Sequence, residues 1–233
     1  MYDFFVNNYF AAYLLVFATV IFAYAMSARV NSTFKKYDKL LSRSGIQANQ
    51  VARQILDSYG LYHIAVTHVG GNLTDHYDSR NNIIALSDAT YYSTSVAAIG
   101  VASHEVGHAV QYAKGYMPIK LRNAFAPVVS FGSNVWLLLF ILGMFVGIGF
   151  LVDIGIALFM VIILFQIITL PVEFNASRRA LKIIDEQNIL QGEEISGARK
   201  TLNAAAMTYV AALATSIANL LRLISIVNRN DRR

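Results

Sequence analysis

The sequence contains no cysteine among its 233 residues. This absence excludes a disulfide-stapled fold, a cysteine-ligated zinc site, an iron–sulfur cluster and a thiol nucleophile. Any metal site must therefore use histidine, aspartate or glutamate. Charged residues are also scarce, at 14% of the chain against about 25% in soluble domains. The low charge and the many large apolar residues exclude a disordered chain and disfavour an ordinary soluble enzyme.

Long runs without charge predict membrane helices. Residues 4–28 carry no charge, and this run exceeds the roughly 20 residues that cross a bilayer. Residues 125–172 carry a single charge, Asp153, and are long enough for two crossings joined as a hairpin with a turn near residues 149–155. Residues 201–221 are uncharged and rich in small residues, which suits either a fourth crossing or a buried helix.

The net charge of +5 comes from basic residues that stand beside these hydrophobic runs. This placement indicates membrane topology rather than binding to nucleic acid, and no nucleic-acid partner is expected. If residues 125–172 form a hairpin, the basic groups beside the first three runs and before the fourth lie on one side. The positive-inside bias makes that side cytoplasmic. The basic tail after residue 221 departs from the bias if the fourth run crosses.

The segment His104-Glu105-Val106-Gly107-His108 predicts a metal site. Positions i and i+4 share one face of a helix, so both imidazoles can bind one ion while Glu105 addresses a water on the metal. Two imidazoles and a carboxylate suit zinc and leave one position open for water. The chain has only five histidines, so this spacing seldom arises by chance.

The third ligand must come from elsewhere in the chain. No histidine follows His108, and Gln111 and Lys114 exclude the extended metzincin motif. Glu173 is favoured, because it comes just after Pro171, where it would open a helix as the hairpin returns to the surface it left. Asp153 is the alternative, as a lone acid in an apolar run, and it would make the protein an intramembrane protease. A non-catalytic scaffold that uses zinc only for folding is a further alternative, but it would have no use for Glu105.

Three segments resemble the bacterial YugP-like family of membrane zinc metallopeptidases: residues 73–78 (LTDHYD), 97–111 (AAIGVASHEVGHAVQ) and 170–177 (LPVEFNAS). With the hydrophobic runs, the resemblance covers most of the chain. It implies zinc at His104, His108 and Glu173, with Glu105 as the general base. The last segment is more distantly similar to the Glu-x-x-Ala-Asp segment of HtpX and CAAX-type proteases. Ser177 stands where those enzymes have aspartate, so it would support a ligand more weakly.

Two further groups of residues are candidates for roles around the metal. His76 could stabilise a developing oxyanion or orient a zinc ligand, or it could belong to a solvated turn. A peptide substrate is expected to lie extended beside a strand and to add to it as an extra edge strand. That strand is predicted at Ile83, Ile84, Ala85 and Leu86.

The sequence thus predicts an integral membrane protein, mainly α with a small β-sheet. Its zincin-like, gluzincin-type catalytic domain is split by a transmembrane helical hairpin. The expected order is a membrane helix at 4–28, a catalytic part at 29–124, the hairpin at 125–172, a third-ligand region at 173–200, and a fourth membrane helix with a basic tail at 201–233. The expected activity is a zinc-dependent endopeptidase in the cell membrane, acting on membrane-associated proteins or peptides, with its site facing the cytoplasm.

Overall fold

The computed structural model describes residues 8–231, which form six α-helices and three β-strands. The predicted residues 4–7 of the first membrane helix and 232–233 of the basic tail lie outside this range. In chain order the elements are α1 (Tyr9–Asp38), α2 (Ala48–Ser58), β1 (Ala65–His68), β2 (His76–Asp78), β3 (Ile83–Leu86), α3 (Val96–Ala113), α4 (Met117–Val146), α5 (Gly149–Glu186) and α6 (Glu193–Asp231).

The chain divides into two compact units. The first, called here the apolar unit, takes the chain up to Met26, Leu121–Leu170 and the chain from Thr208 onward. The second, called here the sheet unit, consists of Ser27–Lys120 and Pro171–Met207. Helices α1, α4, α5 and α6 each contribute residues to both units.

Four helices are long and apolar enough to cross a membrane, namely α1, α4, α5 and α6. They contain 30, 30, 38 and 39 residues, more than the roughly 20 that a crossing needs. Large apolar side chains are exposed along them, such as Phe17 and Phe145 at 64% and 91% exposure. Such exposure suits contact with lipid rather than with water. The predicted membrane-length helices, including the fourth, are therefore present.

Helices α4 and α5 form the predicted hairpin, but the turn comes earlier than expected, at residues 147–148. Gly147 has φ +78°, a backbone conformation that side-chain-bearing residues rarely adopt. Near the turn the two helices pack closely through glycines. A Cβ on Gly143 would lie 2.7 Å from the backbone nitrogen of Val152, and one on Gly155 would lie 2.9 Å from that of Phe140. Small residues permit this approach between membrane helices.

The expectation that Glu173 opens a helix after Pro171 is wrong, because α5 runs through both residues without a break. A proline within a helix removes one backbone hydrogen bond, which membrane helices tolerate when the surrounding structure compensates. After α5 the chain turns at residues 187–192, where Gly192 has φ +55°.

The sheet has three strands in the order β1-β3-β2, with β1 parallel and β2 antiparallel to β3. Strand β2 was not predicted, because His76-Tyr77-Asp78 lacks a run of apolar residues. Its presence overturns the substrate strand expected at Ile83, Ile84, Ala85 and Leu86. These residues form the central strand, which pairs with β1 on one side and β2 on the other. A peptide therefore cannot add to β3 as an edge strand.

Helix α3 is the buried centre of the sheet unit. Its start is capped by Ser95, whose hydroxyl accepts a hydrogen bond from the backbone nitrogen of Ala98 and donates one to Asp38. The apolar side of α3, which includes Ile99, Val106 and Val110, packs into the core with α2 and β3. Burial on several sides holds α3 rigidly in the sheet unit.

Candidate metal centre

The two histidines of α3 and the glutamate of α5 come together in the sheet unit. The rings of His104 and His108 have centroids 4.7 Å apart. Glu173 Oε2 lies 3.3 Å from Nε2 of His104 and 3.6 Å from Nε2 of His108. One ligand atom from each residue falls within 4.8 Å of the other two. The three donors therefore converge on a volume that one metal ion could fill.

A glycine makes this convergence possible. A Cβ on Gly107 would lie only 2.7 Å from the backbone oxygen of Ala176, so the backbones of α3 and α5 are in direct contact. Gly107 precedes His108, and Ala176 lies three residues after Glu173. The close approach thus occurs beside the three donor residues and brings the carboxylate to the imidazoles.

The orientation of His108 is fixed by Gln111, one turn further along α3. The Gln111 amide nitrogen donates to the backbone oxygen of Val172 at 2.8 Å and to Oδ1 of Asn175 at 3.0 Å. The amide oxygen therefore faces Nδ1 of His108, 3.0 Å away. Because this oxygen can only accept, Nδ1 must carry a proton, and Nε2 is the ring nitrogen that faces Glu173.

His104 has a comparable support in Ser177, whose hydroxyl lies 3.1 Å from Nδ1. The predicted supporting role of Ser177 thus has a direct contact, although a hydroxyl orients an imidazole less firmly than a carboxylate does. Asn175 in turn supports Gln111. Its Oδ1 accepts one hydrogen bond from Gln111 and another from Arg179 at 2.7 Å. Sequence analysis missed Gln111 and Asn175. The available signal was their position, one turn after His108 and two residues after Glu173.

Glu173 is almost fully buried, with 3% of its surface exposed. It lies in the sheet unit, beyond the apolar part of α5. Burial alone would raise the pKa of Glu173, but hydrogen bonds and charge from His104 and His108 outweigh it and hold the pKa below its usual range. The carboxylate is therefore anionic at neutral pH. A divalent cation among the three donors would likewise stabilise this anionic carboxylate.

The other predicted residues are placed as follows. Glu105 follows His104 on α3 and is buried, with 8% exposure. His76 is exposed on β2, with Nδ1 2.8 Å from the backbone oxygen of Thr74, and it is not a member of the donor group. Asp153 belongs to the apolar unit and is not a member of the donor group.

Strand β2 lies beside α3 through Tyr77 rather than His76. The rings of Tyr77 and Tyr112 have centroids 6.5 Å apart, and Tyr112 is one turn after His108. Side chains alternate along a strand, so His76 points to the opposite face of the sheet. Burial, with the nearby Tyr112 and Asp78, raises the pKa of Tyr77 to about 12, so its phenol stays protonated at neutral pH.

Known proteins resemble this chain over most of its length. The chain is 46% identical over 198 residues to a protein of Bacillus subtilis (strain 168) named "Putative membrane protease YugP". These 198 residues are 85% of this chain, and the match covers 88% of that protein. No solved structure matches the chain significantly. Residues 12–228 match the family described as "Putative neutral zinc metallopeptidase". The resemblance found in the sequence is therefore confirmed, and the chain belongs to the family with this description.

Proposed function

We propose that the protein is a membrane-bound, zinc-dependent endopeptidase whose zinc is held by His104, His108 and Glu173. The observation that carries the proposal is the convergence of three donor atoms within 4.8 Å. Gln111 and Ser177 contact the Nδ1 atoms, which leaves both Nε2 atoms available to the metal. Metal-binding histidines generally have such a partner on the other ring nitrogen.

The donor set fits a catalytic zinc ion. Two imidazole nitrogens and one carboxylate oxygen are typical of catalytic zinc, whereas structural sites have four protein ligands. Among residues 8–231, no fourth histidine, aspartate or glutamate joins the group within the same distance. This count favours an enzyme over a scaffold that uses zinc only for folding.

When bound, zinc supplies a Lewis acid that polarises the scissile carbonyl and lowers the pKa of water towards 7. Glu105 is assigned as the general base, which takes a proton from the attacking water. As the new C–O bond forms and the C–N bond breaks, Glu105 passes this proton to the leaving amine. The burial of Glu105 limits competing contact with bulk water. Gln111 and Ser177 keep the imidazoles in place during the reaction.

The catalytic domain is proposed to be zincin-like, of the gluzincin type, and split by the hairpin at residues 125–172. Residues 29–124 would supply the histidines and Glu105, and residues 173–200 the third ligand. Two observations support this division: Ser27–Lys120 and Pro171–Met207 pack into one unit, and Gly107 touches Ala176 across the two parts.

The substrate is proposed to be an extended segment of a membrane-associated protein or peptide. It would add to the outer edge of β2, which no described strand pairs with and which lies beside α3. Main-chain pairing of this kind depends little on side chains, so access at the membrane surface would select the substrate. A role for His76 in stabilising an oxyanion remains a prediction from the sequence.

The site is proposed to face the cytoplasm in a multi-pass protein of the cell membrane. The four membrane-length helices support the multi-pass arrangement. Basic residues follow or precede the apolar runs on the proposed cytoplasmic side, as the positive-inside bias requires. They are Arg29, Lys120, Arg122, Arg178 and Arg179.

Purified full-length protein in detergent tests the function. We expect about one zinc ion per chain and cleavage of casein that a chelator abolishes and added zinc restores. Protein that contains no zinc, or cleavage that persists after chelation, would contradict the proposal.

A further inference from the structure

A second site of distinct chemistry lies in the sheet unit, lined by four residues of α1 and two of α6. It is a cavity of about 270 Å³, called here the basic cavity. Its lining residues are Arg29, Thr33, Lys36, Tyr37, Lys200 and Asn203. The volume is near the lower end of the roughly 300–1,000 Å³ typical of small-molecule pockets. It suits a polar headgroup rather than a peptide.

The positive charges of the basic cavity form no ion pair with an acidic residue in the part of the chain whose side chains the structure describes. Three of its lining residues are cations and none is acidic. Among residues 8–230, no ion pair joins a carboxylate to Arg29, Lys36 or Lys200. Cations held together without an anion repel each other. A bound anion would remove this repulsion.

The cavity forms where one face of α1 packs against α6, and its three cations, Arg29, Lys36 and Lys200, are exposed at its surface. On α1 its residues stand at positions 29, 33, 36 and 37, which share one helix face, and on α6 at positions 200 and 203, one turn apart. Gly197 permits α6 to pack on this face, since a Cβ there would lie 2.7 Å from Cδ1 of Tyr37. Lys36 also lies over the Tyr37 ring, with Nζ 5.5 Å from its centroid.

The sequence places the cavity where both helices enter their apolar runs. Arg29 directly follows the uncharged residues 4–28, and Asn203 lies within the uncharged residues 201–221. Basic residues at such boundaries meet the headgroup layer of a bilayer, where anionic lipids concentrate. A phosphate is therefore the anion that this position most readily offers.

We propose that the basic cavity binds the phosphate of an anionic glycerophospholipid. The Arg29 guanidinium can donate two parallel hydrogen bonds to phosphate oxygens, and Lys36 and Lys200 add charge. Thr33, Tyr37 and Asn203 offer hydroxyl and amide groups for the polar part of the glycerol headgroup. This site uses none of the residues assigned to zinc or to hydrolysis, so it stands or falls independently of the peptidase function.

Native mass spectrometry of delipidated full-length protein in a neutral detergent tests the proposal. Phosphatidylglycerol should bind with one saturable site, and phosphatidylcholine should bind much more weakly. Lys36→Gln combined with Lys200→Gln should weaken phosphatidylglycerol binding on the order of 30-fold, since each cation near an anionic headgroup contributes about a fivefold factor. Arg29→Gln alone should weaken it several-fold.

The matched control is Lys35→Gln combined with Arg199→Gln. It removes the same charge from the same two helices, at exposed residues that do not line the cavity. This control should bind phosphatidylglycerol nearly as the unmodified protein does. Equal losses in the two double variants, or no preference for phosphatidylglycerol over phosphatidylcholine, would overturn the proposal.

Competition distinguishes a lipid from a soluble phosphate. Inorganic phosphate and glycerol phosphate at millimolar concentration should displace phosphatidylglycerol only partly, because neither brings acyl chains into the detergent micelle. If either soluble phosphate displaced phosphatidylglycerol completely at the same concentration as the lipid, the lipid assignment would be overturned and a soluble phosphate would be the ligand. Unchanged zinc content and circular dichroism in each variant establish that the fold is intact.

Discussion

The side-chain oxygen of Gln111 accepts a hydrogen bond from Nδ1 of His108 at 3.0 Å, while its nitrogen donates to the backbone oxygen of Val172. One amide therefore joins an imidazole of α3 to the turn of α5 that carries Glu173. Gln111 is fully buried, so no water competes for these bonds. The residue sets both the proton position on His108 and the relation of the two helices at the donor group.

Gln111→Ala tests this positioning role. The variant should fold but bind zinc about 10–100-fold more weakly, because His108 loses the partner that fixes its ring. Zinc titration against a competing chelator measures the effect, and excess zinc should restore most of the peptide hydrolysis. Ser177→Ala should have a smaller effect of the same kind. Unchanged zinc affinity in Gln111→Ala would show that the ring is oriented by other contacts.

Glu105→Gln separates metal binding from catalysis. The variant should retain about one zinc ion per chain, since all three proposed ligands remain. Peptide hydrolysis should fall by about 10²–10⁴-fold, because the amide cannot accept the proton from water. Metal analysis and a quenched-peptide assay measure the two quantities. Unchanged turnover would refute the proposed general base, and an inert unmodified protein with the same zinc content would favour the scaffold.

Glu173→Ala and Asp153→Asn distinguish the two candidate third ligands. Glu173→Ala should lower zinc occupancy and abolish activity, because an anionic oxygen within reach of both imidazoles is lost. Asp153→Asn should keep its zinc and most of its activity, because Asp153 is outside the donor group. Metal analysis on folded, detergent-purified protein checks both variants. The reverse pattern would require a site within the membrane.

Gly107→Ala tests the close contact between α3 and α5. Its Cβ would lie 2.7 Å from the backbone oxygen of Ala176, so the helices must separate. We expect a loss of stability of about 1–3 kcal/mol and reduced zinc occupancy. Gly132→Ala is the matched control, because its Cβ would meet only Leu158 at an ordinary 3.7 Å. Thermal unfolding with and without added zinc compares them, and equal behaviour would contradict the proposed role of Gly107.

Single cysteines test the orientation, because the chain has no cysteine of its own. Ser44→Cys and Ser196→Cys should be shielded from an impermeant thiol reagent in intact cells, since both would face the cytoplasm. Ile148→Cys in the hairpin turn should react. Both serines are exposed in the structure, so any protection would come from the membrane rather than from packing. Labelling at Ser44→Cys would reverse the topology.

The parts of the site that sequence analysis predicted are those with local or hydrophobic causes. The spacing of His104 and His108 fixes a shared helix face, and the long apolar run implies a hairpin that returns Glu173 towards them. The position of Gln111 one turn after His108 was a local signal, but its contact with Val172, 61 residues away, could not be inferred from it.

The strand arrangement escaped prediction for a similar reason. His76-Tyr77-Asp78 has neither the length nor the apolar alternation of a typical strand, and only its pairing with β3 makes it one. Missing β2 left β3 as an apparent edge and misplaced the substrate. Pro171 led to the opposite error, a predicted helix start where the helix in fact continues. The local tendency of proline to break a helix is overridden inside this long apolar helix.

Glu173 and Ser177 stand four residues apart on α5, so one face of this helix carries both the third donor and the hydrogen-bond partner of His104. Each residue of a helix advances the direction of its side chain by about 100°. One residue inserted between Glu173 and Ser177 would therefore turn Ser177 away from His104 while Glu173 kept its place. The helical phase of this short segment thus determines whether the proposed ligand and its support meet the same imidazole.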